Sequence, residues 1–540
     1  MNINPLLLKD FYKAVHGEMI PKNMTKSVSY YTPRRSRVKR WNQIVFFGLQ
    51  AFCKEWLIDY FNENFFNRPE EEVVEEYRRV IDNAMGKGIY SINKIKKLHN
   101  LGYLPVEIVA LKEGMKVDMG VPCFGITNTH PDFAWLPQAL ESLISAELWY
   151  PMITATVGNT YRQIVDKYYN ETCDDNIPHR RALGNFDFRG DAGVDASLKC
   201  ASGWLLSFVN TATVPSIPYM EKIYNCNCEK EEVGFGAVST EHFVMCSNSA
   251  YDTMLYPDDV YEYWHIDPRR ERVFLKRLLT ELYPHNSFSC VCDSYDYWNV
   301  VNNILPTLKD EILAHDGCFL VRGDSGDTVK VVTDTVFALW DIFGGTVNSK
   351  GYKVLDPHVK ALYGDGITIT NAEEIYEILK THGFAASNVS LGVGSLSMHA
   401  IPEVLEMEFA KKVPETYGGV EMDKGDAMVL IPFTRDTVSA AIKAVYAEFT
   451  DENGNVIKMP IFKDPKTDRE SKFSFKKSQK GCCKVYWRDK WAKKLTYEDG
   501  YTWDEACGED NMLQPVFRDG KLLVDYSLND IRQTLNEGKF

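Results

Sequence analysis

"GCFLVRGDSGD", residues 317–327, is a short apolar run that stops abruptly on arginine, glycine and aspartate. Three other stretches share that build: "SFSCVCDSYD" (287–296), "VKALYGDGI" (359–367) and "NVSLGVGS" (388–395). Their apolar parts have strand length and recur roughly 30–40 residues apart, the spacing of successive βα units. The intervening "YWNVVNNILPTLKDEIL", "TVFALWDIFGG" and "NAEEIYEILKTHG" carry helical periodicity. Continuous apolar strands alternating with helices predict a parallel sheet buried on both faces. In barrels and doubly wound sheets functional groups sit where strands end, so the Asp/Gly/Arg termini form one site.

The chemistry of those ends points to a phosphorylated sugar. Asp293, Ser294 and Asp296 follow the first strand, and Arg322, Asp324 and Gly326 the second. Gly364, Asp365 and Gly366 follow the third, Gly392 and Gly394 the fourth. Carboxylates accept from sugar hydroxyls or hold Mg²⁺, glycines let backbone N–H groups approach a phosphate, and arginine clamps it bidentately. Arg189 in "NFDFRGD", Arg435 in "PFTRD", Lys443 and the lysines of "FKDPKTDRESK" add basic groups. There is neither a Walker loop nor a dinucleotide fingerprint.

The chain has 540 residues, 45% of them hydrophobic and 25% charged, which suits a multidomain globular protein or one large α/β barrel with an added domain. A net charge of −14 excludes sequence-independent nucleic-acid binding. No run approaches the roughly 20 apolar residues of a membrane span. Thirteen cysteines without a secretory signal imply reduced thiols in a cytoplasm, and their spacings assign no metal site.

Outside the repeats, "FNRPEEEVVEEYRRVIDNAM" (66–85) reads as a helix opened by Pro69 and acidic residues. "WLPQALESLISAELWYP" (135–151) and "TVGNTYRQIVDKYYNE" (156–171) read as two further helices. The tail shows hairpins around Asn453-Gly454 and Asp519-Gly520, then a helix capped by Ser527 with Asp530 in the box position.

"KDFYKAVH", "VFFGLQ", "NFDFRG", "TEHF", "CDSYDYWN", "VRGDSGD", "NSKGYKVL", "GDGI", "FTRD", "FKDPKTD" and "SLNDIR" occur here in one order. From about residue 6 to 535 that series resembles the nicotinamide phosphoribosyltransferases, type II phosphoribosyltransferases. The resemblance implies an incomplete TIM-like α/β barrel plus an α+β domain built from the N- and C-terminal segments. It would place the N-terminal domain at 1–150, the barrel at 151–436 and the completing sheet segment at 437–540. The implied reaction joins nicotinamide to phosphoribosyl pyrophosphate, giving nicotinamide mononucleotide and pyrophosphate in NAD salvage. The implied cofactors are Mg²⁺, with no ligands assigned, and ATP, and the implied assembly is a homodimer with interface active sites.

Position by position, the resemblance makes Phe186 one wall of the base sandwich and Tyr12, from a second copy, the other. Arg189 and Arg322 match the base and pyrophosphate region, Asp324 and Asp365 ribose and base contacts. Gly364, Gly394 and Arg435 match the 5′-phosphate cradle, and Lys443, Lys463 and Lys472 the basic group at the pyrophosphate or ATP side. His242, in "VSTEHFVM", matches a histidine phosphorylated by ATP, with Asp293 as its neighbouring carboxylate. His242, Asp293 and Asp324 are thus the implied catalytic set.

Two features depart from the pattern. "NTATV" (210–214) puts Ala212 where the family carries an amide-recognising aspartate, and Asp187 is a candidate substitute acceptor. Nicotinate phosphoribosyl transfer is accordingly the alternative activity; a sugar-phosphate-binding regulatory protein and a barrel glycosidase are the different-class alternatives. The second departure is an insertion near 397–428, in which "AIPEVLEMEFAKK" reads as an amphipathic helix.

Overall fold

The computed structural model describes residues 2–255, 268–364, 366–405, 420–421, 427–460 and 479–537. The chain divides into two compact units: Val157–Pro218 with Asn227–Leu430, and Met1–Thr156 with Tyr219–Cys226 and Ile431–Lys539. The division falls after Thr156 rather than at residue 150, and Tyr219–Cys226 goes with the terminal segments, a crossing the sequence pattern did not suggest.

The first unit is built on a seven-stranded sheet. In chain order its strands are β1 (Leu183–Phe186), β2 (Asn210–Thr211), β3 (Val238–Ser239), β4 (Phe288–Val291), β5 (Phe319–Gly323), β6 (Val359–Tyr363) and β7 (Val389–Gly394). Their order in space is β2-β1-β7-β6-β5-β4-β3, and every neighbouring pair is parallel. The segment leading into β3 bridges β2 at Asn210↔Phe235, so the sheet curls as an incomplete barrel. Helix α1 (Val194–Trp204) follows β1, α2 (His242–Leu255) follows β3, α3 (Thr328–Phe343) follows β5, and α4 (Ile369–Thr381) follows β6. The short α5 (Ser395–His399) follows β7. Helix α3 buries Val332, Val336, Leu339 and Phe343, and α4 buries Ile375 and Leu379. Asp327, the last residue of the opening motif, caps α3 by accepting from the Lys330 N–H at 2.8 Å. That separates it from Asp324, which stands at the strand end itself.

The second unit carries a seven-stranded antiparallel sheet in the order Val456–Pro460, Val438–Thr450, Met24–Ser36, Phe124–Asn128, Val106–Ala110, Gln514–Arg518, Lys521–Leu522. Both tail hairpins form; Asp519 (φ 50°) and Gly520 (φ 76°) adopt the left-handed turn that Asp-Gly favours. Ser527 and Asp530 form a reciprocal capping box on Leu528–Asn536.

Two local expectations are corrected. The two helices expected on either side of Pro151 are one, Glu141–Thr172, with Pro151 inside it. Leu148, Met152, Ile153 and Ala155 are buried around the proline, and that burial outweighs the lost N–H and the ring clash. "AIPEVL", read as the start of a helix, is a strand, Ala400–Leu405, at the edge of a three-stranded sheet. An edge position tolerates Pro402, which has no N–H to give to a ladder. Residues 406–419 and 422–426 of the insertion lie outside the described residues. Among those described, no helix is long and apolar enough to cross a membrane.

Candidate active site

The ends of β4 and β5 and the start of α2 meet through Asp293. His242 is the first residue of α2, not part of a strand, and its side chain is half-exposed. Its Nε2–H donates to Asp293 Oδ1 at 3.1 Å. The other carboxylate oxygen of Asp293 accepts from Ser325 Oγ at 2.6 Å and from the Asp324 backbone N–H at 3.2 Å. Both oxygens of Asp293 are therefore held, and with them the imidazole's orientation. In the neutral ring the contact of Nε2 with Asp293 fixes the tautomer in which Nδ1 keeps its lone pair, as a nucleophile requires. Ser325 was quoted in "VRGDSGD" but not singled out; a hydroxyl between two strand-end aspartates was the available signal.

Arg322 on β5 and Asp324 just past its end form a half-buried ion pair, with Nη2 at 3.0 Å from each carboxylate oxygen. Gly364, on the neighbouring strand end, lies beneath that pair. A Cβ there would fall 2.4 Å from Asp324 Oδ1 and 2.5 Å from Arg322 Nε, so the third strand must end in glycine for the pair to stand. Gly392 bears the same relation to Phe186, whose ring would meet a Cβ at 2.4 Å. The parallel register explains it: Gly392 pairs with Gly184 and Gly394 with Phe186, which lays the ring across the β7 backbone. Arg189 projects from the turn after β1 and is exposed. Gly190 of that turn abuts Ser395, with a Cβ position only 2.2 Å from the serine Cβ and Oγ, and Gly394 caps α5.

The remaining sequence candidates belong to the other unit or fall outside the description. Tyr12, the N-cap of the Lys13–Met19 helix, is 55% exposed, with its ring 5.1 Å from that of His16. Arg435 donates to the Ala440 carbonyl at 3.2 Å, and Lys443 lies on the strand Val438–Thr450, opposite Tyr30. The Arg34 guanidinium, which sequence reasoning missed although "TPRRSR" is conspicuously basic, has its pKa lowered by burial and by Arg435 beside it. Two guanidiniums within each other's field make a place for an anion. Asp365, Lys463 and Lys472 lie outside the described residues.

Ala212 is exposed, and its N–H donates to the Asn185 carbonyl at 2.8 Å. Asp187 does not stand in for the missing carboxylate. It is 0% exposed, packed toward Cys200 and Asp191, and so presents no face to a bound base. Phe186 faces Gly392, whereas Asp187 lies just past the strand, in helical backbone conformation at the start of the turn Phe188–Gly190.

The Nicotinate phosphoribosyltransferase (NAPRTase) family matches residues 276–417, and the Nicotinamide phosphoribosyltransferase N-terminal domain matches residues 4–108. A nicotinamide phosphoribosyltransferase of Acinetobacter baylyi is 34% identical, over 99% of this chain and 97% of its own. One of Xanthomonas campestris is 29% identical, over 74% of this chain and 78% of its own. Two solved structures share the fold at a TM-score of 0.50: nicotinate-nucleotide pyrophosphorylase from Pyrococcus furiosus (13% identity, 99% and 95% of the two chains) and human nicotinic acid phosphoribosyltransferase (16%, 98% and 93%). With one third of its residues identical to a relative matched almost end to end, the chain belongs to the nicotinamide phosphoribosyltransferase family.

Proposed function

We propose that this protein transfers the phosphoribosyl group of phosphoribosyl pyrophosphate to nicotinamide, releasing nicotinamide mononucleotide and pyrophosphate. The observation that carries the reading is the linked set His242–Asp293–Ser325 beside Arg322–Asp324, on adjacent ends of parallel strands, in a chain of this family. Phe186 stacks against the base and a Tyr12 from a second copy covers the other face, so the working form is a homodimer. Arg189 and Arg322 hold the pyrophosphate region; Asp324 and Asp365 take ribose and base; Gly364, Gly394 and Arg435 cradle the 5′-phosphate. Lys443, Lys463 and Lys472 balance the charge on the pyrophosphate or ATP side. The C1′–pyrophosphate bond breaks as the pyridine nitrogen bonds to C1′ through an oxocarbenium-like state, so the chain's work is positioning and charge support.

His242 Nδ1 attacks the γ-phosphorus of ATP; its bond to the ADP oxygen breaks, and Asp293 supports the charge on the phosphorylated ring through Nε2–H. Among the described residues Asp293 Oδ1 receives a single hydrogen bond and keeps a lone pair for a hard cation, and Mg²⁺ bound with phosphates needs only one or two protein carboxylates. The donor set therefore fits, Asp293 being the residue that would hold the ion, and Mg²⁺ would supply charge neutralisation for the departing pyrophosphate.

Ala212 favours a second reading. Without a carboxylate at that position nothing there repels nicotinate, so the same transfer onto nicotinate is the alternative. The test is to supply phosphoribosyl pyrophosphate and Mg²⁺ with nicotinamide, with nicotinate, and with no base. Mononucleotide from nicotinamide in preference is expected; a higher kcat/KM for nicotinate replaces the reading with the alternative, and no product from either base removes both.

A further inference from the structure

Behind the turn that carries Arg189, just past Phe186, lies a set of donors that the transfer reaction does not use. Asp187 precedes the turn Phe188–Gly190 and Asp191 follows it, while α1 brings Cys200 beneath both. A carboxylate oxygen of each aspartate and the Cys200 Sγ all lie within 4.8 Å of one another. Asp187 is 0% exposed, and among the described residues neither of its oxygens has a hydrogen-bond partner. The Cys200 thiol and Asn185 side chain lean toward it without hydrogen-bond geometry, and burial raises its pKa to about 6. Asp191 is buried at its side chain and accepts from His399 Nε2 at 2.8 Å.

An ionised carboxylate taken from water needs a compensating charge or hydrogen bonds. Here the His399 imidazole holds Asp191, while the fully buried Asp187 carboxylate has an oxygen within 4.8 Å of a thiol. Oxygen and thiolate donors converging on one point suit a borderline divalent ion of the zinc class better than Mg²⁺, which takes oxygen donors alone. The His399 contact has the form of an outer hydrogen bond that orients a ligating carboxylate.

We infer that Asp187, Asp191 and Cys200 bind a zinc-class divalent cation that staples the turn bearing Arg189 to helix α1. Binding converts the Cys200 thiol to thiolate and releases its proton to solvent, so affinity falls as pH is lowered. The ion has no part in the chemistry. It fixes both ends of a single turn in which the Gly190 N–H donates to the Asp187 carbonyl at 2.8 Å and the Asp191 N–H to the Phe188 carbonyl at 3.5 Å.

The test uses the full-length protein, purified without chelator and without substrate, so its outcome is independent of which base the enzyme uses. Elemental analysis should find one zinc per chain. After chelation, added Co²⁺ should give a thiolate-to-cobalt charge-transfer band that saturates at one equivalent. Cys200→Ser should abolish the band, Asp187→Asn should keep it with weakened retention, and His399→Ala should lower affinity about 10–100-fold. Chelating the wild-type protein should lower its thermal midpoint, a check that needs no variant. No retained zinc together with no cobalt band overturns the proposal and leaves Asp187 protonated instead. A band that survives in folded Cys200→Ser assigns the cobalt to another thiol and overturns it equally.

Discussion

At the scale of the residue, His242 depends on Asp293, fifty-one positions away in sequence, for its orientation. Nothing in "VSTEHFVM" foretells that contact; it exists because β3 and β4 are parallel neighbours and both side chains leave at their C-terminal ends. His242→Ala is expected to remove ATP stimulation of nucleotide formation while leaving ATP-independent transfer measurable, because the phosphoryl step proposed for the ring is separate from the ribosyl exchange. Initial rates with and without ATP decide it: stimulation that persists in the variant returns His242 to a structural part. The residue types at the strand ends were legible because carboxylate, guanidinium and glycine have little reason to interrupt buried apolar strands. Their pairing was not, since Arg322 turning back onto Asp324 depends on Gly364 leaving space on the next strand.

Elements were legible in proportion to how far local pattern controlled them. The four apolar strands and the helices between them follow from period and length, and the tail hairpins from Asn-Gly and Asp-Gly. The helix through Pro151 and the strand at Ala400–Leu405 did not follow, because burial decided the first and edge pairing the second. Strand β7 shows how one element positions another: it is glycine at 392 because β1 lays the Phe186 ring there. Gly392→Ala should push that ring aside and raise KM for the base about tenfold or more, since misplacements near 1 Å cost up to two orders of magnitude. The thermal midpoint should fall by a few degrees, as overpacking costs about 1–3 kcal/mol. Steady-state kinetics with each base measure the first effect; an unchanged KM would mean that Phe186 is not a wall of the base site.

At the scale of the molecule, buried acids set how stability responds to pH. Glu113, in the unit built from the chain termini, accepts from the N–H groups of Gln50 (2.6 Å) and Gly48 (3.3 Å) and from Tyr224 Oη (3.3 Å). Burial outweighs those bonds and raises its pKa from 4.5 to about 7. The folded state thus holds a proton that the unfolded chain gives up earlier. The stabilisation is complete below pH 4.5 and is lost as pH rises through 7, on the order of 3 kcal/mol in all. Denaturation midpoints measured between pH 5 and 8 should therefore decline with pH, and Glu113→Gln should flatten the decline; an equal slope in the variant would assign it to Glu271, raised to about 7 by burial and then by Asp296.

The pairing of Met24–Ser36 with Val438–Thr450, Met24 opposite Phe449, gives the antiparallel sheet a place in time as well as space. During synthesis the early strand leaves the ribosome with Phe124–Asn128 to cover one of its edges and, for some three hundred further residues, nothing of its own to cover the other. An uncovered strand edge recruits other chains, and pairing across so long a separation is slow. The parallel barrel strands are all made within that interval. A nascent chain stalled or cleaved between residues 394 and 438 would therefore carry a complete set of barrel strands and a half-built sheet with both edges uncovered, since Gln514–Arg518, the partner of Val106–Ala110, is also unmade; that is the form of this protein most prone to aggregate and most in need of a chaperone.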